Sequence, residues 1–217
     1  MPNTTEPIFT LFWEYLAGSI VVQATLEEIG VRYQLKYVDM GAGEHLSEAY
    51  RRRNPAGRVP ALQGPDGETI GETGAIITLL SELYSEAGFA PAPGDKDRAA
   101  FLFWLNVLTT SGYMTAGRVG HPERYAQDES AVAQVAEKAL ADYDAVFDVI
   151  ETAISGDPFF MERGLTPLDY YITMLSEWHL DKTALFSART KLARLCQAVN
   201  QNRSYRVTMD IHALQAE

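Results

Sequence analysis

Asn54-Pro55-Ala56-Gly57-Arg58-Val59-Pro60-Ala61-Leu62 is followed, after a Gly64-Pro65-Asp66-Gly67 turn, by Glu72-Thr73. Pro55 and Gly57 punctuate a loop, and Val59-Pro60 stands at the mouth of a strand. A cis bond before Pro60 would turn the N–H and C=O of Val59 outward, where they can pair with another backbone in strand-like fashion. Glu72-Thr73 then opens an apolar-periodic segment, so a carboxylate, a hydroxyl and free N–H groups meet at a helix N-terminus suited to an anionic ligand end. Either half alone reads as an ordinary hairpin or a capped helix. In this order and spacing the two describe a loop that presents main chain to a small peptide-like ligand.

Upstream, residues 8–13 read as a short buried strand, and Val22, Leu26 and Ile29 recur at helical spacing before Gly30, a fitting C-cap. Residues 33–38 alternate Tyr33, Leu35 and Tyr37 against Gln34 and Lys36, a second strand. Downstream of the proline loop come a hairpin and a helix on Ile76, Leu79, Leu80 and Leu83. The order β-α-β, loop, β-β-α predicts a thioredoxin-like α/β domain over residues 1–88. A proline-containing linker follows at 89–94, and an all-helical domain over 95–217 completes the expected fold class, α/β followed by all-α. In the helical part, Phe101, Leu102, Leu105 and Leu108 form one stripe, and a long apolar-periodic segment runs to the break at Gly156-Asp157-Pro158. Thr166-Pro167-Leu168-Asp169 is a capping-box variant that opens a further helix through Tyr171, Leu175 and Trp178.

On these motifs the chain resembles the cytosolic glutathione transferases, whose thioredoxin-like first domain carries an Asn-Pro-x-Gly-x-Val-Pro-x-Leu loop and a Glu-Ser or Glu-Thr pair. Both stand here, as residues 54–62 and as Glu72-Thr73. The resemblance implies that glutathione is held by the loop residues Arg58, Val59 and Pro60, with Val59 pairing with its cysteinyl backbone. It further implies that Glu72 and Thr73 hold the γ-glutamyl end, and that His45 or Arg51 takes the glycyl carboxylate. A homodimer, and a helical-domain Ser/Thr-x-x-Asp box acting in folding rather than in function, belong to the same set of implications.

An enzyme that uses the glutathione thiol as a nucleophile must stabilise its thiolate, because a free thiol titrates at about 8.5. A hydroxyl donor and a helix N-terminus aimed at the sulfur do this. In the family the donor comes from the end of the first strand or the loop after it, here Phe12-Trp13-Glu14-Tyr15-Leu16-Ala17-Gly18-Ser19. Aligned on Leu26 and Gly30, the usual tyrosine position falls on Phe12 or Trp13, the usual serine near Leu16 or Ala17, and the usual cysteine on Gly18. None carries the expected group. Two hydroxyls remain within reach, Tyr15 and Ser19, and they are the candidate catalytic groups. For Ser19 the plain alternative is an N-cap, and for Tyr15 a rim aromatic beside the second substrate. Glu14 is a poor donor, since a carboxylate beside sulfur opposes thiolate formation. Trp13, with Tyr113 and Arg118 of the helical domain, is the expected lining for a second substrate. Arg118 would bind an acidic group, and Tyr113 would donate to a leaving group.

Composition removes other classes. A formal charge of −11 in 217 residues argues against nucleic-acid or anionic-membrane partners, and Arg51-Arg52-Arg53 is too short a basic run to overturn that. No stretch approaches a membrane span, and the polar start of the chain predicts a cytoplasmic protein. The single cysteine, Cys196, lies in an apolar helical pattern and reads as a buried inert thiol. The four histidines are far apart, so no metal site is expected. Asp142, Asp144 and Asp148 read as the wet face of a helix. The expected function is glutathione-dependent attack on a small hydrophobic or aromatic electrophile. The alternatives are lyase, dehalogenase or isomerase chemistry on the same thiol, or glutathione binding without turnover.

Overall fold

The computed structural model describes residues 8–215. The chain forms two compact units, one drawn from Met1–Asp95 and Asn202–Glu217, the other from Lys96–Gln201. In the first, β1 (Phe9–Trp13), α1 (Ser19–Ile29) and β2 (Tyr33–Tyr37) make the leading β-α-β. The short α2 (Glu48–Arg51), β3 (Ala61–Gln63), β4 (Thr69–Gly71) and α3 (Thr73–Leu83) follow. The sheet order is β2-β1-β3-β4, with β1 parallel to β2 and antiparallel to β3. Register pairs Leu11 with Leu35 on one side and with Leu62 on the other.

Residue choice follows from position in that sheet. β1 is interior and all five of its residues are buried, which suits the unbroken apolar run Phe-Thr-Leu-Phe-Trp. β2 is an edge strand and alternates half-buried Tyr33, Leu35 and Tyr37 with exposed Gln34 and Lys36. One core gathers Phe9, Leu11 and Trp13 with Val22 and Leu26 of α1, Leu62 of β3 and Ile76 and Leu80 of α3. A second gathers Phe12, Val38, Tyr50, Val59 and Ala61, so strand alternation sends Phe12 away from its neighbours and toward the proline loop.

The second unit is helical: α4 (Arg98–Val107), a π-helical turn (Leu108–Tyr113), α5 (Met114–Gly120), α6 (Glu129–Ala153), α7 (Pro167–Glu177), α8 (Lys182–Ala188) and α9 (Thr190–Gln201). α7 is buried along ten consecutive residues, from Pro167 to Ser176, and is therefore the central helix of this unit. Its start is the capping box: the Thr166 N–H donates to Asp169 Oδ2 at 2.8 Å, and Asp169 Oδ1 also accepts the Phe160 N–H at 2.7 Å. Cys196 is buried, and burial pushes its thiol up to about 11, away from reactivity.

Two expectations are corrected. The final helix, α10 (Arg203–Gln215), groups with the first unit and packs on α1, so the second compact unit ends at Gln201 although the chain stays helical beyond it. Asp144 and Asp148 are more than a wet helix face. They take hydrogen bonds of 3.0 Å and 2.9 Å from Arg189, which is buried, and a buried guanidinium needs such partners.

Asp169→Ala should lower unfolding stability by at least about 2 kcal/mol in urea titration, because two buried N–H groups lose their acceptor together with the helix cap.

Candidate active site

The proline loop is fixed from beneath. Asn54 is buried; its Oδ1 accepts the Ala56 N–H at 3.1 Å and its Nδ2 donates to the Arg58 carbonyl at 2.8 Å. The phenol of Tyr50 donates to the same carbonyl at 2.7 Å, so the residue before Val59 is held by two donors. The Val59-Pro60 bond is cis. The Val59 side chain is packed into the second core, while its main-chain N–H and C=O take no partner among the described residues. The result is a peptide unit with unspent hydrogen-bonding groups on a well-supported base, able to pair with another main chain.

The second motif abuts the first. A Cβ on Gly71 would stand 2.8 Å from Asn54 Nδ2, so only glycine lets β4 pass this close to the loop's internal staple. Glu72 follows with φ 66° and its side chain exposed, making no cap bond. Thr73 is buried, with its hydroxyl donating to the Gly18 carbonyl at 3.5 Å. The first intrahelical bond of α3 runs from the Ile76 N–H to the Glu72 C=O, which leaves the Thr73, Gly74 and Ala75 N–H groups at the open helix end.

The loop between β1 and α1 is pinned at almost every residue. The Glu14 carbonyl accepts the Ala17 N–H and the Ser19 hydroxyl, each at 3.3 Å, and Glu14 Oε1 accepts the Met40 N–H at 3.1 Å. Partial burial raises the Glu14 carboxyl pKa, with the Met40 hydrogen bond opposing. Tyr15 is held through its main chain by the Tyr37 phenol. Leu16 adopts φ 45° and donates its N–H to Nδ1 of His212 on α10 at 3.0 Å. Among the described residues, Leu16 and Glu72 are the two non-glycine residues with positive φ, and each conformation costs roughly 1–2 kcal/mol. Both lie at this site.

The expected site residues divide accordingly. Arg58, Val59, Pro60, Glu72 and Thr73 come together around the Asn54–Gly71 contact. A Cβ on Gly57 would stand 3.2 Å from the His45 carbonyl and 3.4 Å from Arg51 Nε, so both candidates for a terminal carboxylate border the loop. Arg51 and Arg58 are exposed with no ion-pair partner among the described residues, and His45 Nδ1 is buried without a hydrogen-bond partner. Tyr15 is 39% exposed, whereas Ser19 is fully buried and directs its hydroxyl inward to Glu14. Trp13 stands in the core, edge-on to Tyr37 at 5.4 Å and to His212 at 4.7 Å, rather than on an open surface. Tyr113 and Arg118 belong to the second unit, where Tyr113 meets the Trp178 ring at 5.3 Å and Arg118 donates to Thr115 Oγ1 at 2.9 Å. Sequence reasoning missed Tyr50, Gly71 and His212. The spacing of Tyr50 and Asn54 on either side of Arg51-Arg52-Arg53 offered a signal for the first, and nothing local marks the last.

Among the described residues no group of three or more His, Cys, Asp or Glu could hold a metal, and no helix is long and apolar enough to cross a membrane. The family model described as "Glutathione S-transferase, N-terminal domain" matches residues 19–83. The "Transcriptional regulator URE2" of Saccharomyces cerevisiae is 30% identical over 153 residues, 68% of this chain and 43% of that protein. The "Maleylacetoacetate isomerase" of Pseudomonas aeruginosa is 42% identical over 71 residues, 32% of this chain and 34% of that protein. Both matches span less than half the length of those curated relatives. A solved glutathione transferase homologue from Sulfitobacter, with bound glutathione, superposes with a TM-score of 0.85 at 23% identity, covering 94% of this chain and 98% of that one.

Asn54→Ala and Gly71→Ala should each cost about 1–3 kcal/mol in urea unfolding, the first by orphaning loop groups and the second by displacing Asn54. The double variant should cost clearly less than the sum, because removing the Asn54 side chain makes room for the new Cβ.

Proposed function

Since the chain is a member of the glutathione transferase superfamily, we propose that it binds glutathione along the proline loop and activates the thiol for attack on a small hydrophobic electrophile, working as a homodimer. The observation that carries this reading is the pairing of an unpartnered Val59 main chain with an open α3 N-terminus in one frame, flanked by the left-handed backbone of Leu16 and Glu72. The cysteinyl backbone of glutathione pairs with Val59. Its γ-glutamyl carboxylate lies at the Thr73 and Gly74 N–H groups and its ammonium against Glu72, while Arg51 or His45 takes the glycyl carboxylate.

The thiol then lies toward the β1–α1 loop. Tyr15 is the proposed side-chain donor, because it is an exposed residue of that loop, whereas the Ser19 proton is engaged by the Glu14 carbonyl. Ser19 contributes through its main-chain N–H at the start of α1, where the helix dipole favours a thiolate. Isomerase chemistry on the same bound thiol is a second reading, favoured by the stretch shared with the Pseudomonas aeruginosa isomerase.

The test is a glutathione titration of the purified protein, followed by thiolate absorbance between about pH 5 and 9. The bound thiol should ionise at least about one unit below its free value. Glu72→Gln should weaken binding about tenfold or more, and Tyr15→Phe should raise the bound thiol pKa with about a 10- to 100-fold loss of kcat while binding is retained. Binding with an unshifted thiol would leave a glutathione-binding protein without transferase chemistry, and no binding would end the reading.

A further inference from the structure

We propose that His212, on the last helix, is a positioning residue for the β1–α1 loop: by accepting the Leu16 N–H it holds the loop in the shape that presents Tyr15 to a bound thiol. This rests on the glutathione reading above. The bond joins residues 196 positions apart and spans 3.0 Å from Leu16 N to His212 Nδ1. Leu16 is the one residue of its loop with a left-handed φ, a conformation that a branched side chain keeps only when its surroundings dictate it. His212 supplies that constraint one residue from Tyr15, on the side of the loop opposite in sequence to the Glu14 bonds.

The acceptor itself is enclosed by its neighbours. His212 is fully buried, and its ring meets the Trp13 ring at 4.7 Å, at the end of the strand from which the loop departs. α10 is in turn anchored at its start, where Asn202 Oδ1 caps the Tyr205 N–H at 3.0 Å and Asn202 Nδ2 reaches Glu28 on α1 at 3.3 Å. Accepting at Nδ1 requires a neutral imidazole, and burial pushes the His212 pKa down to about 4, so the lone pair is present at physiological pH. The proton then sits on Nε2, which is buried without a hydrogen-bond partner. An apolar side chain would fill the same place without leaving that donor unpaired, so packing alone does not account for a histidine here. The bond to Leu16 does.

The full-length chain tests this in two ways. In the unaltered protein, NMR should detect an N–H···N coupling between the Leu16 amide and His212 Nδ1; its absence overturns the proposal without recourse to any variant. His212→Leu should then speed Leu16 amide exchange about tenfold or more and raise the pKa of bound glutathione by about one unit, with its binding constant changed less than about threefold. His212→Asn, which keeps an acceptor at the Nδ1 position, should restore both, whereas His212→Gln, which moves its amide outward, should not. Leu16 exchange or thiol titration unchanged in His212→Leu would sink the idea, as would failure of Asn to outperform Gln. If the unaltered protein binds no glutathione, the functional reading falls and takes this role with it. If glutathione binds but the coupling is missing, only the role of His212 is lost.

Discussion

Everything at the candidate site depends on one close approach, that of Asn54 to the glycine backbone at residue 71. The Asn54 amide fastens the proline loop to itself through Arg58, and the absence of a side chain at Gly71 lets the strand leading into α3 lie directly against that amide. Two segments of chain with different jobs, one offering a free peptide edge and the other an open helix end, thereby share a wall. Two donors on one carbonyl and one missing methyl group set their spacing, which is the kind of rigidity a small ligand with polar groups at fixed intervals requires.

The third wall, the β1–α1 loop, is built on another principle. Instead of one tight contact it uses many ordinary ones: Glu14 gathers bonds from three residues, Tyr37 holds Tyr15, His212 holds Leu16, and Thr73 reaches the Gly18 carbonyl. Such a loop tolerates an unfavourable φ because several neighbours determine it at once. With the backbone so occupied, the side chains of Tyr15 and Leu16 remain exposed on the loop.

How much of this was legible follows from how far each signal travels along the chain. The thioredoxin-like order was readable because each element announces itself locally, in the alternation of Tyr33, Leu35 and Tyr37 or the helical spacing of Val22, Leu26 and Ile29. The capping box at Thr166 and Asp169 is likewise a local code. Three things escaped. Ser19 and Trp13 lie in a segment identified correctly as a loop and its flanks, but whether a side chain there faces in or out depends on contacts with Glu14, Tyr37 and His212 that spacing does not encode. The partnership of Arg189 with Asp144 and Asp148 required knowing which face of α6 meets the start of α9. The helical pattern of residues 203–215 was visible, but not that it packs on α1, since nothing in an amphipathic helix names its partner.

That last placement has a consequence for how the protein is made. The sheet-containing unit is discontinuous in sequence, with residues 96–201 inserted between α3 and the helix that completes it. During synthesis from the N-terminus, β1 through α3 emerge long before α10, so the strand end at Trp13 and the turn at Leu16 wait uncovered while the entire inserted unit is translated. The inserted unit can fold as it emerges, but the sheet-containing unit reaches its final form only after the ribosome has made residue 212, so the loop beside the candidate site is among the last parts of the molecule to take shape.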